Sequence, residues 1–152
     1  MAFQKTLALL ALLYSADVYG NTVRFEELYC LAKNIYFESR NQPIIGRIAV
    51  GQVTMNRVNS PKFPNTVCEV VRQGGEKRNR CQFSWYCDGK LDEPKSEPTW
   101  DESVYLSLLI YSEEATIDVT EGALWYHATY VSPSWAEHYE KTVRINDHIF
   151  YR

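Results

Sequence analysis

Clusters of cations, paired histidines and long apolar stretches are what this 152-residue chain has little of, and each shortage removes a class of function. Lys and Arg number 16 against 19 Asp and Glu, a net charge of −3 at pH 7, with no basic run. The electrostatic footprint of a nucleic acid or an anionic membrane partner is therefore missing. His127, His138 and His148 are the only histidines and show no His-x-x-His or Glu-x-x-His spacing, so neither a metal nor a cofactor is expected.

The apolar run Leu7 to Leu13 is too short to cross a bilayer. Lys5 precedes it and the small residue Gly20 follows, the order of a secretory signal. Residues 1–20 are expected to be a signal peptide, with an uncleaved anchor as the alternative, and residues 21–152 the working domain. Removing the first segment deletes Lys5 and Asp17 and leaves the net charge unchanged. Export places the chain in a periplasm, a cell wall or the extracellular space, without stable membrane insertion once processed. An even set of thiols in such a compartment pairs, so Cys30, Cys68, Cys81 and Cys87 are expected in disulfides, by any of three connectivities.

What the chain does have is a core. Hydrophobic residues make up 45%, enough for one domain of this length. Aromatic residues make up 14%, with 11 Tyr and 4 Trp, which suits stacking on sugars as well as a tight interior.

Phe25, Leu28, Leu31, Ala32 and Ile35 recur at three- and four-residue steps and predict a helix from Thr22 to about Ser39. A second helix is expected over Ile44 to Val58, opened by Pro43, with Ile45, Ile48, Ala49, Gln52, Val53 and Asn56 inward and Gly46 and Gly51 allowing close approach. Thr66 to Arg72 is a short apolar piece, CQFSWYCDG reads as an extended segment, and Lys90 to Pro98 as a linker. Thr99-Trp100-Asp101-Glu102 has the spacing of a capping box for a third helix running to about Ala115, with Val104, Tyr105, Leu108, Leu109 and Ser112 inward. KTVRI and HIFYR flank Asn146-Asp147 as a β-hairpin. The class is α+β, mainly helical, in a single domain.

Glu38 continues the apolar stripe of the first helix, three residues after Ile35 and seven after Leu31. An acid on an inner helical face, at the negative end of the helix dipole, has its pKa raised, which suits proton donation to a glycosidic oxygen. The plain alternative is a solvated carboxylate paired with Arg40. Glu69, Asp88, Asp101, Glu121 and Asp147 stand in contexts of caps, turns or surface, so a one-acid mechanism is favoured. Gln82, Phe83, Ser84, Trp85, Tyr126 and His127 combine flat rings with amide, hydroxyl and imidazole groups fit for sugar faces and N-acetyl groups. A cysteine peptidase using Cys87 and His127 is the rival chemistry, and it requires an unpaired thiol.

LAKNIYFESR, IGRIAVGQVTMNRV, TVCEVV, CQFSWYCDG, LWYHATYVSPSW and HIFYR, in this order over about Leu28 to Arg152, resemble the cell wall hydrolase family of the spore-cortex-lytic enzyme SleB. The resemblance implies a lysozyme-like fold related to lytic transglycosylases and cleavage of peptidoglycan glycan strands between N-acetylmuramic acid and N-acetylglucosamine. Its catalytic glutamate matches Glu38, with the groove lined by Gln82, Phe83, Tyr126 and His127. Asn41 stands where the family pattern has glycine, so the turn after the acid is expected to differ in shape. A hydrolytic muramidase and a non-catalytic peptidoglycan-binding module are the alternatives; in each case the protein is read as a monomer bound to glycan strands, whether in wall remodelling, spore germination or phage lysis.

Overall fold

The structure, a computed structural model, describes residue 22 and residues 24–78, 80–112 and 117–152. The expected signal segment, 1–20, and the expected helix end at Ala115 lie outside the described residues. Helix α1 covers 24–39, α2 Ile44–Val58, α3 Val67–Arg72 and α4 Glu97–Tyr111. Strands β1 Trp125–Ala128, β2 Lys141–Ile145 and β3 His148–Tyr151 form an antiparallel sheet in the order β1-β3-β2. The fold is mainly helical α+β and ends in the expected hairpin.

Helix α2 is the centre. Pro43 caps it with extended backbone, and Asn59 closes it. It is buried on nearly every side, because α1, α3, α4 and the sheet all pack on it. The expected inward face is corrected at Ile45, which is 43% exposed, while Arg47, Thr54 and Arg57 are inside. At Gly51 an added Cβ would meet Ile110 Cδ1 at 2.6 Å and Ile35 Cδ1 at 3.0 Å, so the glycine lets α1 and α4 close on α2. Arg47 enters the interior paired, donating to Thr99 O at 3.0 Å, to Ser103 Oγ at 2.7 Å and to the Glu102 carboxylate.

That pairing corrects the start of α4. Glu102 serves Arg47 and caps nothing, and the helix begins earlier, with Ser96 as N-cap. Pro98 sits in the first turn, where a missing N–H costs no helical bond. The inner face is Ser103, Leu106, Ser107 and Ile110, while Tyr105 and Leu108 are exposed, because small serines allow the close approach to α2. On α1 the expected stripe holds at Leu31, Ala32 and Ile35, and Phe25 projects into solvent.

Two disulfides settle the connectivity: Cys30–Cys68 joins α1 to α3, and Cys81–Cys87 closes a loop of sequence separation 6. The second corrects the extended reading of CQFSWYCDG. Six extended residues span roughly 20 Å, whereas the Cys81 and Cys87 Cα atoms lie 6.0 Å apart, so Ser84–Cys87 coils into a 3-10 turn. The pairing also removes the thiol that a Cys87 peptidase needs.

In the sheet Tyr126 pairs with Phe150 and His127 with Ile149, which sends Tyr126 and His127 to opposite faces. The Tyr126 face packs through Phe150 onto Ala49 and Val53 of α2. Asn146 turns the hairpin at φ 49, a conformation that asparagine tolerates.

Candidate active site

Glu38 lies in the last turn of α1, and Gln42, three residues beyond the end of that helix, is folded onto the hairpin. The Gln42 N–H donates to Ser39 O at 2.8 Å, and Gln42 Nε2 donates to Asp147 Oδ2 at 3.2 Å. Asn41 has no positive φ, so its side chain fits this turn without the freedom of glycine. The acid end of α1 is thereby held against the turn between β2 and β3.

The Tyr126 hydroxyl donates to Glu38 Oε2 at 2.9 Å. Burial pushes the Glu38 carboxyl above the usual carboxylate range, while this hydrogen bond and the nearby Arg57 charge pull it partly back. Tyr126 is raised well above an ordinary phenol, first by burial and then by the Glu38 charge, so it stays a donor. Its ring meets His148 edge-on at 5.2 Å. His148 is held below the usual imidazole range by burial and is therefore neutral near pH 7.

Arg57 was not singled out from sequence, yet its signal matches that of Glu38: it lies four residues after Val53 and eight after Ala49 and so continues a buried stripe. It is 2% exposed, donates Nε–H to Leu124 O at 2.7 Å, and lies over the rings of Phe63 and Phe83 at 5.2 and 5.0 Å. Burial lowers its guanidinium to about 10, opposed by Tyr126 and Glu38, so it remains a cation at neutral pH.

Glu38 opens onto a cavity of about 590 Å³ that is also lined by Phe37, Ser84 and Trp85. Trp85 stacks on Phe37 with centroids 4.8 Å apart, and its Nε1–H donates to Asn34 Oδ1 at 3.0 Å. Asn34 in turn donates to Thr54 Oγ1 at 3.0 Å, so the wall beside the acid is fixed by a buried chain of hydrogen bonds.

The structure thus brings Glu38, Ser84, Trp85 and Tyr126 together and leaves the other candidates apart. Phe83 is buried beneath Arg57, and Gln82 has its N–H bonded to Gln73 O with its side chain in solvent. His127 faces away. Its Nδ1 lies 2.8 Å from Ala128 O, which only accepts, so Nδ1 carries the proton and Nε2 accepts from the Tyr151 hydroxyl at 2.9 Å. Its ring is stacked on Tyr151 and edge-on to Trp135.

The cavity's far wall, Asp88, Lys90, Leu91, Asp92, Glu93 and Lys95, falls largely in the stretch read as a linker. Among the described residues no cluster of metal-ligating side chains occurs, and no helix is long and apolar enough to cross a membrane.

The family model described as Cell Wall Hydrolase matches residues 41–151, beginning three residues after Glu38. The spore cortex-lytic enzyme of Bacillus subtilis (strain 168) is 32% identical over 126 residues, 82% of this chain and 37% of that relative. That of Bacillus cereus is 44% identical over 45 residues, 30% of this chain and 17% of the relative. The chain therefore spans well under half of the curated relatives it matches. Among solved structures, the catalytic domain of the Bacillus cereus SleB protein has a TM-score of 0.63 at 27% identity, over 83% of this chain and 89% of that one. The catalytic domain of the germination-specific lytic transglycosylase SleB from Bacillus anthracis has a TM-score of 0.63 at 28% identity, over 83% and 93%.

Proposed function

Because this chain belongs to the cell wall hydrolase family, we propose that it cleaves peptidoglycan glycan strands between N-acetylmuramic acid and N-acetylglucosamine, as a lytic transglycosylase with Glu38 as its one acid and base. The observation that carries the reading is the Glu38 carboxyl, raised by burial, held through Oε2 by Tyr126, and opening onto a cavity of ligand size.

Protonated Glu38 gives its proton to the glycosidic oxygen as the bond to the muramic C1 breaks, and the N-acetylglucosamine hydroxyl departs. Positive charge at C1 is stabilised by the substrate's own N-acetyl group, so no second carboxylate is required. The Glu38 carboxylate then takes the proton of the muramic 6-hydroxyl while that oxygen bonds C1, which closes a 1,6-anhydro ring and restores the acid. Tyr126 and Arg57 serve the half-cycle in which Glu38 is charged, since a donor and a cation both favour the carboxylate. Ser84 and Trp85 line the substrate groove.

The substrate lies outside the cytoplasm, and residues 1–20 act as the export signal for the domain of residues 21–152, which works as a monomer. The two disulfides support that compartment.

Incubating the purified protein with peptidoglycan and weighing the soluble products tests the reading. Anhydro-muropeptides are expected. Reducing muramic ends replace it with a muramidase, cleaved stem peptides with a peptidase, and binding without products with a non-catalytic module.

A further inference from the structure

The glycan strand is uncharged once its muramic carboxyl is joined to a stem peptide, yet one wall of the cavity is densely charged. Arg40, Asp88, Lys90, Asp92, Glu93 and Lys95 line it together with the candidate acid. Of these, Lys90 and Asp88 pair at 3.3 Å, and the Arg40 guanidinium lies 5.3 Å from the Tyr36 ring centroid. Asp92, Glu93 and Lys95 make no ion pair among the described residues.

The wall is built rather than loose. At one end the Cys81–Cys87 disulfide fixes the chain just before Asp88, and Asp88 Oδ1 accepts the Lys90 N–H at 2.8 Å across Gly89. Gly89 takes φ +81, and a Cβ there would press on the Arg78 guanidinium at 3.1 Å. At the other end the Lys95 and Ser96 N–H groups both donate to the buried Tyr36 hydroxyl, at 3.0 and 3.2 Å. Tyr36 lies two residues before Glu38 on α1, so the wall and the acid hang from the same helical turn.

We infer that the segment from Asp88 to Lys95 reads the stem peptide of the muramic residue, Lys95 meeting a peptide carboxylate and Asp92 and Glu93 meeting a peptide amine. A bare glycan offers only its muramic carboxylates and so nothing for Asp92 and Glu93 to pair with, whereas a stem peptide carries charges of both signs. The inference rests on the proposed glycan cleavage and adds that the preferred substrate is peptide-bearing peptidoglycan.

Initial rates of glycan cleavage by the full protein are compared on intact peptidoglycan and on the same glycan stripped of stem peptides by an amidase. Intact material is expected to be cut at least about tenfold faster, what one charge-assisted hydrogen bond supplies. The D92N/K95Q double variant is expected to bring the ratio of the two rates toward one, and unchanged far-ultraviolet circular dichroism shows that it folds. Equal rates on the two substrates, or a ratio that the double variant leaves unchanged, overturns the inference while glycan cleavage stands. Cleavage of neither substrate overturns both.

Discussion

Tyr126 and Glu38 lie 88 residues apart in sequence and share one hydrogen bond, 2.9 Å from phenol oxygen to Oε2. That bond favours the charged carboxylate while burial favours the protonated one, and an acid that must give and then retrieve a proton needs both tendencies.

Glu38→Gln is expected to lower the release of soluble muropeptides by about 10²–10⁴-fold, the range for a positioned general acid. The amide keeps an oxygen for the Tyr126 hydroxyl, so the fold is expected to survive. Near wild-type cleavage by this variant rules Glu38 out.

The same substitution is expected to raise thermal stability at neutral pH. A carboxyl whose folded pKa lies above its unfolded one contributes stability that is present below the unfolded value and lost as pH rises through the folded value. At pH 7 the charged form is therefore a burden that glutamine lacks. The gain in Tm, roughly 2–4 °C for each ~1 kcal/mol in a chain of this size, is expected to shrink as melting is repeated toward pH 4. A gain that grows on acidification contradicts the raised pKa.

Tyr126→Phe removes a group that lowers the Glu38 pKa, so that pKa is expected to rise further. Proton donation needs the protonated acid, and kcat/KM falls as pH climbs through its pKa. The alkaline limb of the profile is expected to move to higher pH, with about tenfold loss at the optimum because a weaker acid gives up its proton less readily in the first transfer. An unmoved limb, or one at lower pH, removes Tyr126 from the site's electrostatics.

The two disulfides are expected to separate stability from activity. By loop-closure entropy, Cys30–Cys68, of separation 38, is worth about 4 kcal/mol and Cys81–Cys87, of separation 6, about 2 kcal/mol. Replacing the first pair with alanine is expected to cost more in denaturant midpoint. Replacing the second is expected to cost more in cleavage rate, because it anchors the cavity wall. The reverse order in either measurement counts against that anchor.

How much of this was legible in sequence depended on whether a local signal had local causes. The bounds of α2 follow from Pro43 and from Asn59-Ser60-Pro61, and the hairpin follows from Asn146-Asp147 between alternating runs. Helix α4 was read with the wrong face because its buried positions include Ser103 and Ser107, which small size rather than hydrophobicity admits. The CQFSWYC segment departs from its alternating pattern because a cross-link overrides the conformation that the alternation suggests. Glu38 is legible as the charge that extends an apolar stripe, and on α2 the same pattern marks Arg57. The charged wall carries no periodicity, and only its anchors on Cys87 and Tyr36 make it part of the site.

Strand β3 lies in the middle of the sheet although it is the last element along the sequence. A ribosome therefore makes the acid of α1 early and the strand that seats Tyr126 more than a hundred residues later. A chain clipped before His148 still has Glu38 and Tyr126 but lacks the strand that seats one against the other. The contact between Tyr126 and Glu38 is thus timed by the order of synthesis, waiting on β3.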